Sequence, residues 1–581
     1  MLAFQRVGNS AYRDVPGVYS HIFDPNERRR MALAEIDKAP FGWYHARLIV
    51  VTGVGFFTDA YSLFAINLTA AMLGIVFYHE SGKGVIPHGA DTAIRVASSI
   101  GAVLGQIFFG YLADVLGRKK MYGIELLIII SATLAQSLCA SSTAISFAGV
   151  LVFWRIIMGV GIGGDYPLSA VITSEFASTR WRGAIIAAVF AMQGLGQFAA
   201  AIMALVVTKA FKQDIDSIKS VSECSGQCLV SVDAMWRIII AFGGIPGWFA
   251  LYYRLTIPET PRYTFDVLYD IEKATADAQR YRSGKKGEGH VDKLNQARAR
   301  QEMMKYRTPR PSAGEVIRYF SRWRNAVMLV GTAGSWFFLD VAFYGLNLNS
   351  SSVLSAIGFP QTGSIYRQLH NAAVGQLVLI CAGAIPGYWA TVVAVDWLGR
   401  RFIQIMGFVI LTVLFAVIGF HFDNLSKQSL LVLYILSQFF FNFGPNATTF
   451  ISPSEIYPTR VRSTAHGISA AAGKIGAIIA QTVFAPMVHR GATPKNSAPW
   501  LPGVMQIFAL FMFCGILTSF LVPESKRHTL EDLAGEKEGE KPVYELQFVS
   551  QFFRPTNREG KKRLSGNWTW KGLANKYFNL T

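Results

Sequence analysis

Predominantly apolar runs recur along the chain near 46–74, 92–113, 119–140, 145–170, 183–208 and 234–256, then near 326–350, 371–394, 402–421, 428–452, 463–488 and 500–522. A helix that crosses the hydrocarbon core of a bilayer takes about 20 residues. The pattern therefore predicts twelve membrane-spanning helices in two sets of six. A polar break at 258–325, rich in Lys, Arg, Glu and Gln, separates the sets, and "RYRSGKKGEGH" within it reads as a flexible linker. The expected organisation is a segment 1–45, a six-helix bundle 46–257, a central loop 258–325, a second bundle 326–522 and a tail 523–581.

Composition agrees with that pattern. A soluble chain of 581 residues would form three or four domains, but only 16% of the residues are charged and 51% are hydrophobic. So few charges do not coat several soluble domains. The expected fold class is an all-α polytopic membrane protein. The formal net charge of +18 raises the question of a nucleic-acid partner, and its placement answers it. Basic residues crowd the termini and alternate connections: Arg118, Lys119 and Lys120, then Arg180 and Arg182, Arg400 and Arg401, Arg460 and Arg462. The connections between hold few, such as Lys83 and Arg367. This alternation is the positive-inside pattern. It excludes nucleic acid as the reason for the charge, and it places both termini and the central loop in the cytosol. The first 45 residues contain Arg28, Arg29 and Arg30 and lack the apolar core of a cleavable signal.

Cys139, Cys381 and Cys514 lie in apolar runs, where thiols pack as small hydrophobes. Cys224 and Cys228 share a polar loop expected to face outside, where a disulfide could persist. No nucleotide-cradling Gly-rich loop is present, the histidines lack zinc-ligand spacing, and no nucleophilic constellation is visible. The expectation is a non-enzyme without cofactor or metal.

The two sets of spans repeat each other. "GYLADVLGRKK" matches "VVAVDWLGRR", aligning Asp114 with Asp396. "TSEFASTRWRG" matches "PSEIYPTRVRS", aligning Glu175 with Glu455, and "IPETPRY" matches "VPESKRH". "FFTDAYSLF" and "FFLDVAFYG" place Asp59 and Asp340 at the same offset after a Phe-Phe pair. Four landmarks in one order at nearly constant spacing are the signature of an internal repeat. The Asp-x-x-Gly-Arg-[Lys/Arg] turns resemble those of the major facilitator superfamily. That resemblance implies two six-helix bundles with a midplane site between them and alternating access by rocking of one bundle against the other. Asp114, Arg118, Glu175, Arg180 and Arg182 then read as charge latches between helix ends, or equally as topology charges.

A charge at the bilayer centre costs about 2.5–3.5 kcal/mol on insertion scales, so each embedded one has a partner or a task. Six stand out: Asp59, Glu125, Arg155, Asp165, Asp340 and Lys474. Trp336, Asp340 and Tyr344 follow i, i+4, i+8 spacing and share one helix face; indole N–H and phenol O–H are donors suited to an oxygen-rich ligand. In "GVGIGGDYPLSAVITSE" the glycines allow close helix approach, and Pro167 frees a carbonyl near Asp165 and Tyr166. Arg155 and Tyr166 lie three turns apart on one face, and Glu125 is the expected partner of Arg155. Gln438, Asn442 and Asn446 form a second polar stripe, Gln193 and Gln197 a third, and Lys474 is a cation among small residues.

"GGDYPLSAVITSE", "GTAGSWFFLDVAFYG" and "GPNATTF" resemble the inorganic phosphate/proton symporters of fungi and plants, most of all the fungal high-affinity type, over about residues 20–535. The resemblance implies phosphate binding by Tyr166, Gln193, Trp336, Asp340, Tyr344, Asn446 and Lys474. It implies a proton route through Asp59 and Asp165, with Glu125 and Arg155 beside it. It also implies proton-coupled import across the plasma membrane, with the cytosolic tails as places where regulatory proteins would dock. One position departs from the family: Ser62 stands where members commonly carry a second acid in Asp-x-Tyr-Asp. Asp340 can accept a hydrogen bond from a P–OH group, which sulfate lacks at neutral pH. Asp59 lacks equivalents of Trp336 and Tyr344 at the matching positions, and reads as a proton carrier. Sugar uptake, glycerophosphodiester transport and a phosphate sensor with little transport are the alternative readings.

Overall fold

The computed structural model describes residues 40–79, 84–267 and 311–534, apart from 258, 357–362, 492 and 494–497, together with Leu33, Ala34, Asp37 and Lys38. The linker stretch in the central loop and the tail beyond 534 lie outside the described residues. The spans are α1 (Trp43–Phe77), α2 (His88–Leu116), α3 (Ile124–Ser137), α4 (Phe147–Phe176), α5 (Arg182–Ala210) and α6 (Gln227–Phe242, continued by Gly244–Thr256). The second set is α7 (Trp323–Asn347), α8 (Ile365–Leu398), α9 (Arg400–His421), α10 (Lys427–Asn442, continued by Pro445–Ile456), α11 (Arg462–Val488) and α12 (Leu501–Ser519). The twelve-helix fold is that of the major facilitator superfamily.

Eleven helices among the described residues are long and apolar enough to cross a membrane. The exception is α3. The apolar pattern predicts one span over 119–140, but the chain makes a helical turn at Arg118–Met121, breaks, and restarts at Ile124. Gly123 causes the break, with φ of +117°, a conformation that side chains disfavour. Glu125 then folds back so that both its carboxylate oxygens accept the Gly123 N–H, at 2.9 and 2.7 Å. Two of the longer spans carry a π-helical turn, at Ile380–Ala384 and Ala480–Phe484, and α6 and α10 are interrupted at Gly243 and Gly444.

Three of the four repeated landmarks converge, one cluster in each half. Arg118 meets Asp114 at 3.2 Å and Glu175 at 3.3 Å, while Thr260 donates to Glu175 at 2.5 Å. In the second half Arg400 meets Asp396 and Glu455, each at 2.8 Å, and Ser525 donates to Glu455 at 2.5 Å. Each cluster also reaches across. Asp114 caps the start of α11, accepting from the N–H groups of Ser463 (3.2 Å) and Thr464 (2.8 Å). Asp396 does the same for α5 at Gly183 (3.2 Å) and Ala184 (2.9 Å). A carboxylate on a helix N-terminus satisfies unpaired N–H groups and complements the helix dipole. Arg462 completes the crossing with Glu175 at 2.9 Å. Arg182 also reaches across, donating to the His528 carbonyl at 3.0 Å beside its pair with Asp37 at 3.2 Å, whereas Arg180 stacks on Trp181.

The opposite end is bridged as well. Asn67 donates to the Asn347 carbonyl at 2.7 Å, Arg95 donates to Leu348 O, and Ser364 donates to Asp216 at 3.0 Å. The halves thus touch at both ends. Cys224 and Cys228 form a disulfide in the connection between α5 and α6.

Candidate functional site

Between those two closed ends lies a polar cluster on α7 and α11. Lys474 Nζ donates to Asp340 Oδ2 and to the Tyr344 hydroxyl, both at 2.9 Å. The predicted i, i+4 register of Asp340 and Tyr344 on α7 brings both onto the one ammonium. Gly473 permits this contact, because a Cβ there would lie 2.9 Å from Asp340 Oδ2 and hard against the Trp336 indole. Lys474 also sits 5.1 Å from the centre of the Tyr166 ring and 4.2 Å from that of Tyr344. Such cation–π contacts matter most where water is excluded, and all seven expected binding residues are at most 4% exposed.

Tyr166 brings α4 and α5 into the same chamber. Gln193 donates to the Tyr166 hydroxyl at 3.1 Å, and the Tyr166 and Trp336 rings lie 6.3 Å apart. Asn446 stands in the wall, donating to Asn442 Oδ1 at 2.7 Å and to Tyr388 OH at 3.2 Å. Tyr388 in "GAIPGYW" carries no spacing signal that would have marked it. Phe450, one turn after Asn446, is ringed by aromatics of both halves: Phe56 at 5.1 Å, Phe190 at 4.5 Å, Tyr166 at 6.1 Å, Trp336 at 6.4 Å and His466 at 5.3 Å. His466 Nε2 meets the Phe450 carbonyl at 3.1 Å, so Nε2 carries a proton, and Nδ1 is buried without a partner among the described residues.

A second cluster lies in the first half, and its centre is a residue the sequence reading missed. Arg254 of α6 grips Asp165 with two parallel bonds of 2.9 Å, Nη1 to Oδ1 and Nη2 to Oδ2. Nη1 also donates to Glu125 at 2.8 Å and Nη2 to Thr52 O at 3.3 Å, with Tyr122 under the guanidinium at 4.3 Å. Ser169 donates to Asp165 at 2.5 Å. Gly55, one turn before Asp59, makes room for the pair: a Cβ there would overlap both Arg254 and Asp165. Asp59 faces this cluster, its carboxyl lying against that of Asp165 and beside Arg254, with no N–H or hydroxyl donor to either oxygen among the described residues.

The expected Glu125–Arg155 pair is not formed. Arg155 turns to α2 and donates to the Ile94 carbonyl at 2.7 Å and to Ser98 at 3.4 Å. Glu125 pairs with Arg254 instead. The physical reason is packing at the glycines of α4: Gly159 and Gly163 sit against the backbone of α2, and Gly161 against the backbone of α3. Arg155 therefore finds a backbone acceptor on α2, leaving Glu125 to the guanidinium that arrives from α6. Ser62, the departure from the family, is buried with an unpartnered hydroxyl and lies beside Gly243, where α6 is interrupted. Gln438 and Asn442 continue the stripe as expected, with Asn442 donating to the Gln438 carbonyl at 2.9 Å.

Comparison with known proteins places this geometry in a family. Residues 48–536 match the family described as "Sugar (and other) transporter". A repressible high-affinity phosphate permease of Neurospora crassa is 55% identical over 533 residues, which cover 91% of this chain and 93% of the relative. Inorganic phosphate transporter PHO84 of Saccharomyces cerevisiae is 50% identical over 536 residues, 90% of each chain. The chain belongs to this transporter family, in the group that holds these permeases. Inorganic phosphate transporter 1-4 of Arabidopsis thaliana is 37% identical over 524 residues, covering 87% of this chain and 96% of the relative. Among solved structures, the proton:xylose symporter XylE bound to 6-bromo-6-deoxy-D-glucose superposes with a TM-score of 0.66 at 18% identity, covering 85% of this chain and 99% of that one. At that identity the likeness shows the fold alone.

Proposed function

We propose that this chain imports inorganic phosphate across the plasma membrane by alternating access, coupled to protons, with both termini cytosolic. The observation that carries the substrate is the Lys474–Asp340–Tyr344 triad facing Tyr166 and Trp336. Lys474 supplies the positive charge for an anion, and the phenols, indole and Gln193 amide supply donors to its oxygens. Asp340 selects for an oxyanion that carries a proton, because its carboxylate accepts a bond from P–OH and repels a fully ionised sulfate. Asn446 closes the wall on the α10 side.

The coupling reading rests on Asp59, Asp165 and Glu125. Two carboxylates, Asp165 and Glu125, pair with one guanidinium, and Asp59 lies against Asp165 without an ion pair of its own among the described residues. An embedded acid beside two others, with no cation of its own, is placed to carry the proton. Asp165 and Tyr166 are consecutive on α4, so one turn of helix carries a member of each cluster.

Labelled phosphate uptake at acidic and alkaline pH, with and without a protonophore, tests both parts. Uptake that rises on external acidification and collapses with the protonophore is expected. Competition by arsenate and not by sulfate, glucose or a glycerophosphodiester is expected in the same assay. Competition by glucose or by the diester at phosphate-like concentrations would replace the substrate assignment.

A further inference from the structure

Arg254 has no counterpart in the repeat: the position five residues before Glu259 in "RLTIPE" is matched, five before Glu524, by Ser519. It is nonetheless fully buried, and its donors are unevenly used. Both Nη atoms are engaged by Asp165, Glu125 and the Thr52 carbonyl, while Nε is buried without a partner. Asp59 faces the same cluster, its carboxyl against that of Asp165 and beside Arg254, and no cation donates to it among the described residues. An unused guanidinium donor and the Asp59 carboxyl thus belong to one cluster, packed against α1 where Gly55 makes room for Arg254 and Asp165.

We propose that Arg254 is the positioning residue through which proton coupling acts, exchanging Asp165 for Asp59 when Asp59 gives up its proton. While Asp59 is protonated, Arg254 holds Asp165 and Glu125, as in this structure. When the Asp59 O–H bond breaks and the proton passes to water, the new carboxylate competes for the guanidinium. Asp165 is then released from its two-bond grip, retaining Ser169 as a donor. Its neighbour Tyr166 bears on Lys474 and Gln193, so the exchange reaches the phosphate site through a single backbone step. The charged and titratable groups facing Arg254 are Asp59 from α1, Tyr122 and Glu125 from α3 and Asp165 from α4. This inference rests on the proton-coupled reading above.

The test uses the full chain reconstituted in vesicles, with Arg254→Gln, Arg254→Lys and the double variant Arg254→Gln/Glu125→Gln. The double variant keeps the excess of carboxylates over cations at its native value. Three readouts are needed: phosphate titration, phosphate exchange at equal pH, and accumulation under an imposed pH gradient. Arg254→Gln and the double variant should bind and exchange phosphate but lose pH-driven accumulation. Arg254→Lys, which keeps the charge without the two-bond geometry, should accumulate phosphate with a displaced pH profile. A residue that only supports the fold would lower the yield of protein and leave the pH profile of the remainder unchanged. Wild-type accumulation and pH profile in any of the three variants would overturn the proposal, and where Arg254→Gln does not fold, the lysine variant decides. Should the unaltered chain itself fail to accumulate phosphate under the gradient, the coupling reading falls and takes this inference with it. If only the variants behave like the unaltered chain, Arg254 alone is withdrawn.

Discussion

Asp340 and Asp59 occupy related places in the two halves, and their surroundings divide the work between them. Asp340 is satisfied by Lys474, whereas Asp59 lies against Asp165 and has no cation partner among the described residues. Replacing Asp340 with Asn keeps the shape and removes the acceptor charge. A charge-assisted hydrogen bond contributes about 1.5–3 kcal/mol, roughly a 10- to 100-fold loss in phosphate affinity, to be measured by uptake in cells at matched surface expression. Lys474→Gln should weaken phosphate affinity by a comparable factor, since the embedded cation is lost; unchanged affinity would assign Lys474 to the fold. Asp59→Asn should leave phosphate binding and exchange intact and abolish accumulation against a gradient, together with stimulation by external acid. Vesicles with an imposed pH gradient distinguish the two activities, and full accumulation by Asp59→Asn would move the proton to Asp165. The residues on these faces were legible because i, i+4 spacing fixes a face before any tertiary contact is known. Arg254 was not, since a basic residue near the end of a predicted span looks like a topology charge. Arg155 misled for a related reason: its acceptor is a backbone carbonyl, which leaves no mark in the sequence.

At the scale of the elements, the apolar pattern located the spans but could not see where they break. Hydropathy does not distinguish a continuous helix from one interrupted at Gly123, Gly243 or Gly444, because the flanking residues remain apolar. The capping carboxylates were legible as charges and not as caps, since nothing in "ADVLGRKK" names the helix it will reach. Asp114 sits on the first turn of α11 and Asp396 on the first turn of α5. Losing a helix cap costs about 0.5–2 kcal/mol. Asp114→Ala and Asp396→Ala should each loosen the contact between halves at that end. Cysteine pairs introduced across the α2–α11 and α5–α8 seams should then react faster with a membrane-impermeant thiol reagent, while phosphate affinity changes little. Equal labelling rates in the parent and both variants would show that the caps do not hold the halves together.

For the whole molecule, the internal repeat gave the architecture, and the departures from it gave the function. The latch clusters of the two halves match almost bond for bond. The buried chemistry does not: the first half holds three acids and two guanidiniums, Arg155 and Arg254, and the second an acid, an amine and a phenol. That unevenness has an electrical consequence. On the proposed coupling, the Lys474–Asp340 pair is neutral and carries no net charge when the empty carrier turns over, whereas the acid-rich cluster gains one negative charge once its proton has left. A negative charge that moves with the carrier is driven by the membrane voltage, at about 2.3 kcal/mol per unit charge for every 100 mV traversed in full. With the interior negative, voltage would push the empty, deprotonated carrier back toward the outside, where fresh protons and phosphate wait. Vesicles clamped with potassium and valinomycin should therefore show uptake that rises as the interior is made more negative at constant pH. Asp59→Asn, whose amide has no charge to move, should respond less steeply to the same voltage.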